Sequence, residues 1–290
     1  MKAPIKGALL IVIASAFVAM TTLLAKKMGT GKEALSPVQI TWGRYLFALV
    51  GLSLFALIKR PVLQKFNPGL HAMRVSFGVS GVMAMFAVST LIPLADANAI
   101  TFLNPIVVMI IAALFLSEKV GPIRWSMAVL AFLGALLLIR PGASTFQPYA
   151  LIALLAALFI GIEATVVKKL SGREPVFQIL LVSNGAGAFV TSLLMIAFWQ
   201  PPNNEQWFLL VLIGLTMLCA QSLYVPGLRM GEASFVVPFS YSTLLFAAFY
   251  DLFFFNVIPV PLSLAGCIVI LFSGVILAWR DGRARKQKPD

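Results

Sequence analysis

The chain has 290 residues, of which 60% are hydrophobic and 11% charged, whereas a soluble domain carries about 25% charged residues. This composition excludes an ordinary soluble enzyme. Nucleic-acid binding is excluded as well, because the net charge of +12 is dispersed over short segments between apolar runs.

The sequence also lacks motifs for a bound cofactor or for ATP. No G-x-x-x-x-G-K-[ST] motif is present, so an ATP-driven pump is not expected. His71 is the one histidine, and Cys219 and Cys267 lie within apolar runs, so no zinc site is predicted. We therefore predict no catalytic residue, no metal and no cofactor.

Ten apolar runs follow one another along the chain, each near the roughly 20 residues that a helix needs to cross a bilayer. They cover residues 5–25, 37–58, 72–92, 95–117, 121–140, 148–167, 176–198, 206–226, 232–255 and 260–279. The runs predict an all-α integral membrane protein with ten transmembrane helices.

The basic residues between these runs predict the orientation. With the N-terminus inside, 17 of the 22 Lys and Arg residues fall in cytoplasmic segments and four in external loops, and Arg44 is assigned to the interior of a span. This bias predicts that both termini are cytoplasmic. The basic tail at 283–288 is expected to contact anionic lipid headgroups, and association into a homodimer stays open.

The two halves of the chain resemble each other. Ala8-Leu9, Phe17 and Lys26-Lys27 return as Ala150-Leu151, Phe159 and Lys168-Lys169, at a constant offset of 142. Residues 1–145 and 146–290 therefore read as two five-helix repeats. Because five is odd, the second repeat is inverted relative to the first, as in many secondary transporters.

Two segments of the first repeat carry a family resemblance. Residues 93–105, PLADANAITFLNP, and residues 112–120, AALFLSEKV, resemble the end-of-repeat signature of the drug/metabolite transporter superfamily, EamA type. The second copy reads EASFVVPFSY at 232–241 and LFFFNVIP at 252–259, with Asn256 where the first copy has Glu118. The resemblance implies ten helices around a central cavity, alternating access, and export or uptake of small metabolites.

Ionisable residues inside spans are costly and usually face a cavity or a partner. Arg44 lies seven residues into the second span, about 10 Å below the outer surface, in the same depth band as Asp96 and Asp251. Arg44 is predicted to bind a substrate carboxylate or phosphate through its guanidinium group. The alternatives are a structural ion pair with one of these aspartates and extension to the outer interface.

Glu163 has no basic residue three or four positions away on its own helix. An unpaired carboxyl group near hydrocarbon is expected to hold its proton, so Glu163 is predicted to carry protons or to bind a substrate ammonium group. Extension to cytoplasmic water and a structural partner on another helix are the alternatives. Asp251 is the second candidate for proton coupling.

Two prolines are predicted to kink the fourth helix of each repeat and to free backbone carbonyls for a substrate site. They are Pro105 and Pro238. The polar and aromatic residues predicted to line this site, besides Arg44 and Glu163, are Trp42, Tyr45, Asn98, Thr101, Asn104, Gln221, Tyr224, Ser240 and Tyr241.

Together these features predict a secondary transporter in the inner membrane. Amino acids or related zwitterions fit best as substrates, because Arg44 and Glu163 supply opposite charges, and the resemblance favours export over uptake. S-adenosylmethionine and sugar phosphates or nucleotide sugars are alternative substrates. An integral-membrane enzyme that modifies lipids is the rival class, and the single histidine argues against it.

Overall fold

The computed structural model describes residues 3–29, 33–91, 100–139, 150–255 and 261–284, and all the regular structure within these ranges is helical. The α-helices are α1 (Ala3–Met28), α2 (Pro37–Lys59), α3 (Pro68–Leu91), α4 (Asn104–Phe115), α5 (Pro122–Ile139), α6 (Ala150–Ser171), α7 (Val176–Phe198), α8 (Asn204–Met230), α9 (Ala233–Val236), α10 (Ser242–Phe255) and α11 (Pro261–Ala284). A 3₁₀ segment, Val237–Tyr241, joins α9 to α10.

Six helical segments among the described residues are long and apolar enough to cross a bilayer: Ala3–Met28, Pro37–Lys59, Leu151–Ser171, Val176–Phe198, Asn204–Met230 and Ala233–Phe254. Three shorter apolar helices are Asn104–Phe115, Pro122–Leu137 and Leu264–Arg280. The prediction of an all-helical integral membrane protein is thereby confirmed for the described residues.

Side-chain caps fix the start of two helices at the end of the bundle that the charge pattern predicts to face outward (the outer end; the opposite end is the inner end). Ser36 Oγ accepts a hydrogen bond from the N–H of Gln39 at the start of α2. Asn203 and Gln206 cap α8 reciprocally, which satisfies two donors that a helix start leaves open. Gln206 also donates to the carbonyl of Glu33 at 2.7 Å, which ties the two starts together.

Helices from the two halves of the chain pack against each other throughout. The most extensive contacts pair α1 with α8, α3 with α6, α2 with α7, and α5 with α11. At the first of these, a Cβ on Gly7 would lie 2.8 Å from the carbonyl oxygen of Gly227, so the two backbones touch. Small residues at such crossings permit close packing of membrane helices.

The fourth span of each predicted repeat is broken rather than kinked. Pro105 is the second residue of α4 and follows a turn at Phe102 and Leu103, while Pro238 lies in the 3₁₀ segment between α9 and α10. Each proline therefore begins a new piece of helix, where its missing N–H costs no hydrogen bond. The predicted bend in a continuous helix is wrong at both positions.

Candidate substrate site

The two breaks meet inside the bundle. The hydroxyl of Tyr241 donates to the carbonyl of Phe102 at 3.0 Å, and the two rings stack with centroids 6.2 Å apart. Tyr241 is completely buried, and Ser240 beside it is half-buried. In this conformation the Tyr241 hydroxyl links one break to the other, and its predicted contact with a substrate stays a prediction.

The carbonyl of Thr101 has no helical donor, because Pro105 lacks an N–H, and it accepts a hydrogen bond from a side chain instead. Asn104 Nδ2 donates to the carbonyl of Thr101 at 3.0 Å, and the Thr101 hydroxyl lies 3.0 Å from the sulfur of Met85. Both predicted site residues thus stabilise the break at Phe102 and Leu103. Polar groups that end a helix in this way need such partners when no water reaches them.

Arg44 faces the interior of the bundle. Thr41 and Ala48, three residues before and four residues after it on α2, are 2% and 0% exposed, and residues at this spacing share a helix face. The guanidinium carbon lies 4.8 Å from the centre of the Tyr45 ring. Nε of Arg44 is buried and has no hydrogen-bond partner among the described residues.

The aromatic neighbours of Arg44 on α2 are fixed by α7. Trp42 Nε1 donates to the hydroxyl of Ser192 at 3.0 Å, and Tyr45 packs against Gly187, where a Cβ would lie 2.5 Å from the ring. Trp42 also contacts the rings of Trp199 and Trp207, with centroids 5.7 and 6.4 Å away. These contacts hold the α2 surface around Arg44 in one arrangement.

Glu163 has a basic partner on another helix. Arg74 Nε lies 3.3 Å from Glu163 Oε1, and Nη1 of Arg74 donates to the carbonyl of Ile179 at 2.9 Å. Tyr224 lies close enough to interact electrostatically with both charges. Of the three predicted alternatives for Glu163, the structure therefore shows the partner on another helix.

Arg74 is the residue that the sequence reasoning missed. It lies at the start of the predicted run 72–92 but was counted with the basic residues of the cytoplasmic segment before that run. The third helix begins at Pro68 rather than near residue 72, so Arg74 lies six residues inside α3 and is 5% exposed. The expectation that Arg44 is the one basic residue within a span is wrong. Asn67, whose Oδ1 accepts from the N–H of Leu70, was a usable signal for the earlier start.

A second polar pair lies between α7 and α8. Asn184 Nδ2 donates to Gln221 Oε1 at 2.9 Å and to the carbonyl of Leu180 at 2.8 Å. Asn184 is 1% exposed, and its Oδ1 has no hydrogen-bond partner among the described residues. Gln221 was a predicted site residue, whereas Asn184 was not.

Three predicted positions lie outside the description. Asn98 and Asp96 fall in residues 92–99, and the side chain of Asp251 is not described, although its backbone belongs to α10. The basic tail beyond residue 284 is also outside the described residues. The predicted roles of these residues stay predictions.

An apolar cavity of about 730 Å³ lies between α1, α5, α10 and α11. Pro238 and Ser242 border it, together with Phe239, Phe246 and Tyr250. Arg44 and Glu163 do not line this cavity. These two charged residues and this apolar cavity thus occupy different parts of the bundle.

At the inner end of the bundle, two charged side chains bind backbone groups at the start of α9. Both carboxylate oxygens of Glu118 accept hydrogen bonds from the first N–H groups of this helix, those of Ala233 at 2.8 Å and Ser234 at 2.9 Å. Lys168 donates to the carbonyls of Leu228 and Gly231, just before α9. A carboxylate at a helix start is favoured by the helix dipole as well.

A buried group at the inner end joins the α6–α7 connection to the segment before α3. Glu174 is 5% exposed and accepts hydrogen bonds from the Asn67 N–H at 2.9 Å and Gln178 Nε2 at 2.8 Å; its Oε2 lies 2.9 Å from His71 Nε2. Burial raises the pKa of Glu174, but these hydrogen bonds outweigh it, so the pKa lies below the ordinary value.

A bundle of apolar helices with helix breaks and charged side chains in its interior is an architecture of many secondary transporters. The chain belongs to the EamA-like transporter family, whose pattern matches residues 5–140 and again residues 147–279. It is a multi-pass protein of the bacterial inner membrane, and its family marks it as a transporter rather than an enzyme.

Several characterised relatives are similar over most of their length. The riboflavin transporter of Vibrio cholerae is 28% identical, over 76% of this chain and 75% of the relative. The S-adenosylmethionine uptake transporter of Rickettsia conorii is 23% identical over 92% and 90%. The pseudopaline exporter of Pseudomonas aeruginosa is 27% identical over 94% and 95%.

A solved crystal structure has the same fold. It superposes with a TM-score of 0.80 over 93% of this chain and 96% of the other, at 18% sequence identity. At this identity the likeness concerns the fold alone.

Proposed function

We propose that this transporter moves small zwitterionic metabolites, amino acids or their relatives, across the inner membrane by alternating access, with export as the working direction. In this proposal ten helices form two inverted repeats, residues 1–145 and 146–290, with both termini in the cytoplasm. Two separate matches to one family pattern, one in each half, support the repeat.

The observation that carries the substrate class is the environment of Arg44. Its guanidinium group faces the interior, and its Nε is buried without a hydrogen-bond partner among the described residues. A buried donor left without a partner costs about 1–3 kcal/mol, and more if it is charged. A substrate carboxylate that binds there would recover this energy, which favours an anionic group on the substrate.

The relatives' names leave two directions and several substrates open. One relative is an uptake transporter for S-adenosylmethionine and one is an exporter of pseudopaline. S-adenosylmethionine carries an amino-acid head group, so it agrees with a site of this kind and is the leading alternative substrate. Sugar phosphates and nucleotide sugars are less favoured, because Arg44 alone supplies a single positive charge to balance the negative charge of a phosphate group.

Replacing Arg44 by Lys tests the carboxylate site. Lysine keeps the charge but loses the planar pair of donors, so flux of labelled amino acids or S-adenosylmethionine into proteoliposomes is expected to fall at least tenfold with normal membrane insertion. Arg229→Lys, at an exposed position on α8, is the matched control and should keep wild-type flux. Wild-type flux in the Arg44→Lys protein would overturn the proposed role.

Energy coupling is proposed to use an ion gradient or substrate exchange. Glu163 and Asp251 are the candidate proton carriers, and facilitated diffusion without coupling is the simpler alternative. A Glu163→Gln protein that still concentrates substrate under a proton gradient would exclude Glu163 as the carrier.

A further inference from the structure

The side chain of Glu163 is partly exposed, although it lies on a largely buried face of α6. Helix α6 continues to Ser171, eight residues beyond Glu163, which corresponds to about 12 Å. Val166, Val167 and Leu170, three, four and seven residues along, are 6%, 1% and 0% exposed. The side chain of Glu163 is nevertheless 25% exposed. The residues that follow on this face are buried, whereas Phe159 and Ile160 before Glu163 are half-buried, so the exposed part of the side chain is open to a small ligand.

Arg74 makes a short hydrogen bond to α7 and a longer contact with Glu163. Its Nη1 donates to the carbonyl of Ile179 on α7 at 2.9 Å, which anchors the guanidinium group. The contact with Glu163 is a single Nε–Oε1 approach of 3.3 Å, longer than the roughly 2.7–2.9 Å of a strong charge-assisted hydrogen bond. The ion pair is therefore not the two-pronged type that holds helices together most firmly.

Charge balance restricts what can replace either partner. Removing one member of a buried ion pair costs about 3–5 kcal/mol, because the other charge is left unbalanced. A proton on Glu163, or a simple cation beside it, would leave Arg74 without a counter-ion. A zwitterion brings both charges, since its ammonium group can bind Glu163 while its carboxylate binds Arg74.

We propose that Arg74 and Glu163 form an exchangeable ion pair that selects zwitterions: the substrate's ammonium group replaces Arg74 on Glu163, and its carboxylate binds the Arg74 guanidinium group. This proposal rests on the proposed function and assigns Arg74 a direct contact with the substrate. Arg44, in the outer half of the bundle, then binds the carboxylate at a separate stage of the transport cycle.

Three matched compounds test the exchange: norleucine, pentylamine, which lacks its carboxylate, and hexanoate, which lacks its ammonium group. The full-length protein is purified in detergent, and each compound's apparent Kd is obtained from the concentration dependence of thermal stabilisation. Wild-type protein should bind norleucine at least tenfold more tightly than either matched compound. This readout needs no transport.

The two single substitutions should reverse the preference in opposite directions. Arg74→Gln leaves Glu163 without its resident cation, so pentylamine should bind at least tenfold more tightly than to the wild type. Glu163→Gln leaves Arg74 without its counter-ion, so hexanoate should gain at least tenfold. An ion pair that serves only to hold α3 and α6 together predicts lower stability in both variants and no change of preference, and this result would overturn the proposal.

A charge-reversed protein covers the case in which neither single variant folds. Arg74→Glu combined with Glu163→Arg keeps the pair neutral, so it should still prefer norleucine to both matched compounds, and loss of this preference would overturn the proposal. Failure here is distinguishable from failure of the proposed function. Amino-acid flux without the crossover would overturn the exchangeable pair alone, whereas the crossover without any amino-acid flux would overturn the proposed substrates alone.

Discussion

Replacing Gly187 by Ala should destabilise the contact between α2 and α7, although alanine is the better helix former. A Cβ at this position would lie 2.5, 2.6 and 2.9 Å from three ring carbons of Tyr45. Tyr45 is 7% exposed, so its ring has little room to move. Overpacking of this kind costs about 1–3 kcal/mol.

Gly185, two residues earlier on α7, provides a matched control. A Cβ there would lie 3.7 Å from a methyl carbon of Leu49, an ordinary contact, so Gly185→Ala gains the helix propensity of up to about 1 kcal/mol without a clash. Because the propensity term is common to both variants, the Gly187→Ala protein should be about 1–3 kcal/mol less stable than the Gly185→Ala protein.

Thermal unfolding in detergent measures this difference. A change of 1 kcal/mol shifts Tm by about 2–4 °C for chains of 150–250 residues, so Gly187→Ala should melt at least about 2 °C below Gly185→Ala. The Tyr45→Ala background removes the ring and should abolish the penalty at Gly187, as in a double-mutant cycle. Equal Tm values for the two glycine variants would refute the close packing of Gly187 against Tyr45.

Three further predictions concern the two ends of the bundle. With the native cysteines replaced, a cysteine at Asn203 should react with an impermeant thiol reagent added outside and one at Ser171 should not; the opposite result would reverse the orientation. Glu174→Gln should lower Tm at pH 7. Because the pKa of Glu174 is lowered in the folded protein, the carboxylate stabilises the fold above its unfolded pKa of about 4.3, and this stabilisation is lost as the pH falls further. The difference in Tm between wild type and variant should therefore close below about pH 4, and a difference that stays constant would contradict this. Glu118→Gln should cost about 1–2 kcal/mol through weaker hydrogen bonds to the start of α9, and an unchanged Tm would show that the carboxylate charge does not matter there.

Much of the fold could be predicted because an apolar run or a basic loop indicates its position relative to the bilayer without reference to distant residues. A bilayer requires long apolar helices wherever the chain crosses it, so runs such as 176–198 predict α7 with the same bounds, Val176–Phe198. The prolines of the fourth spans showed that those helices are irregular. That Tyr241 binds the carbonyl of Phe102 could not be predicted, because the two residues come from different halves of the chain and only packing brings them together.

The sequence by itself determined the class of protein and named the interior charges Arg44 and Glu163, since the cost of a charge in a span depends only on its local surroundings. Only the tertiary structure decided which side chains contact these charged groups. Arg74 was counted with the basic residues of a cytoplasmic segment, yet it lies six residues inside α3, and the packing of α3 on α6 brings it to Glu163. Electrostatic interactions depend on distance in space, and the helix neighbours of Glu163 at three and four residues carry no charge, so its partner had to come from another helix.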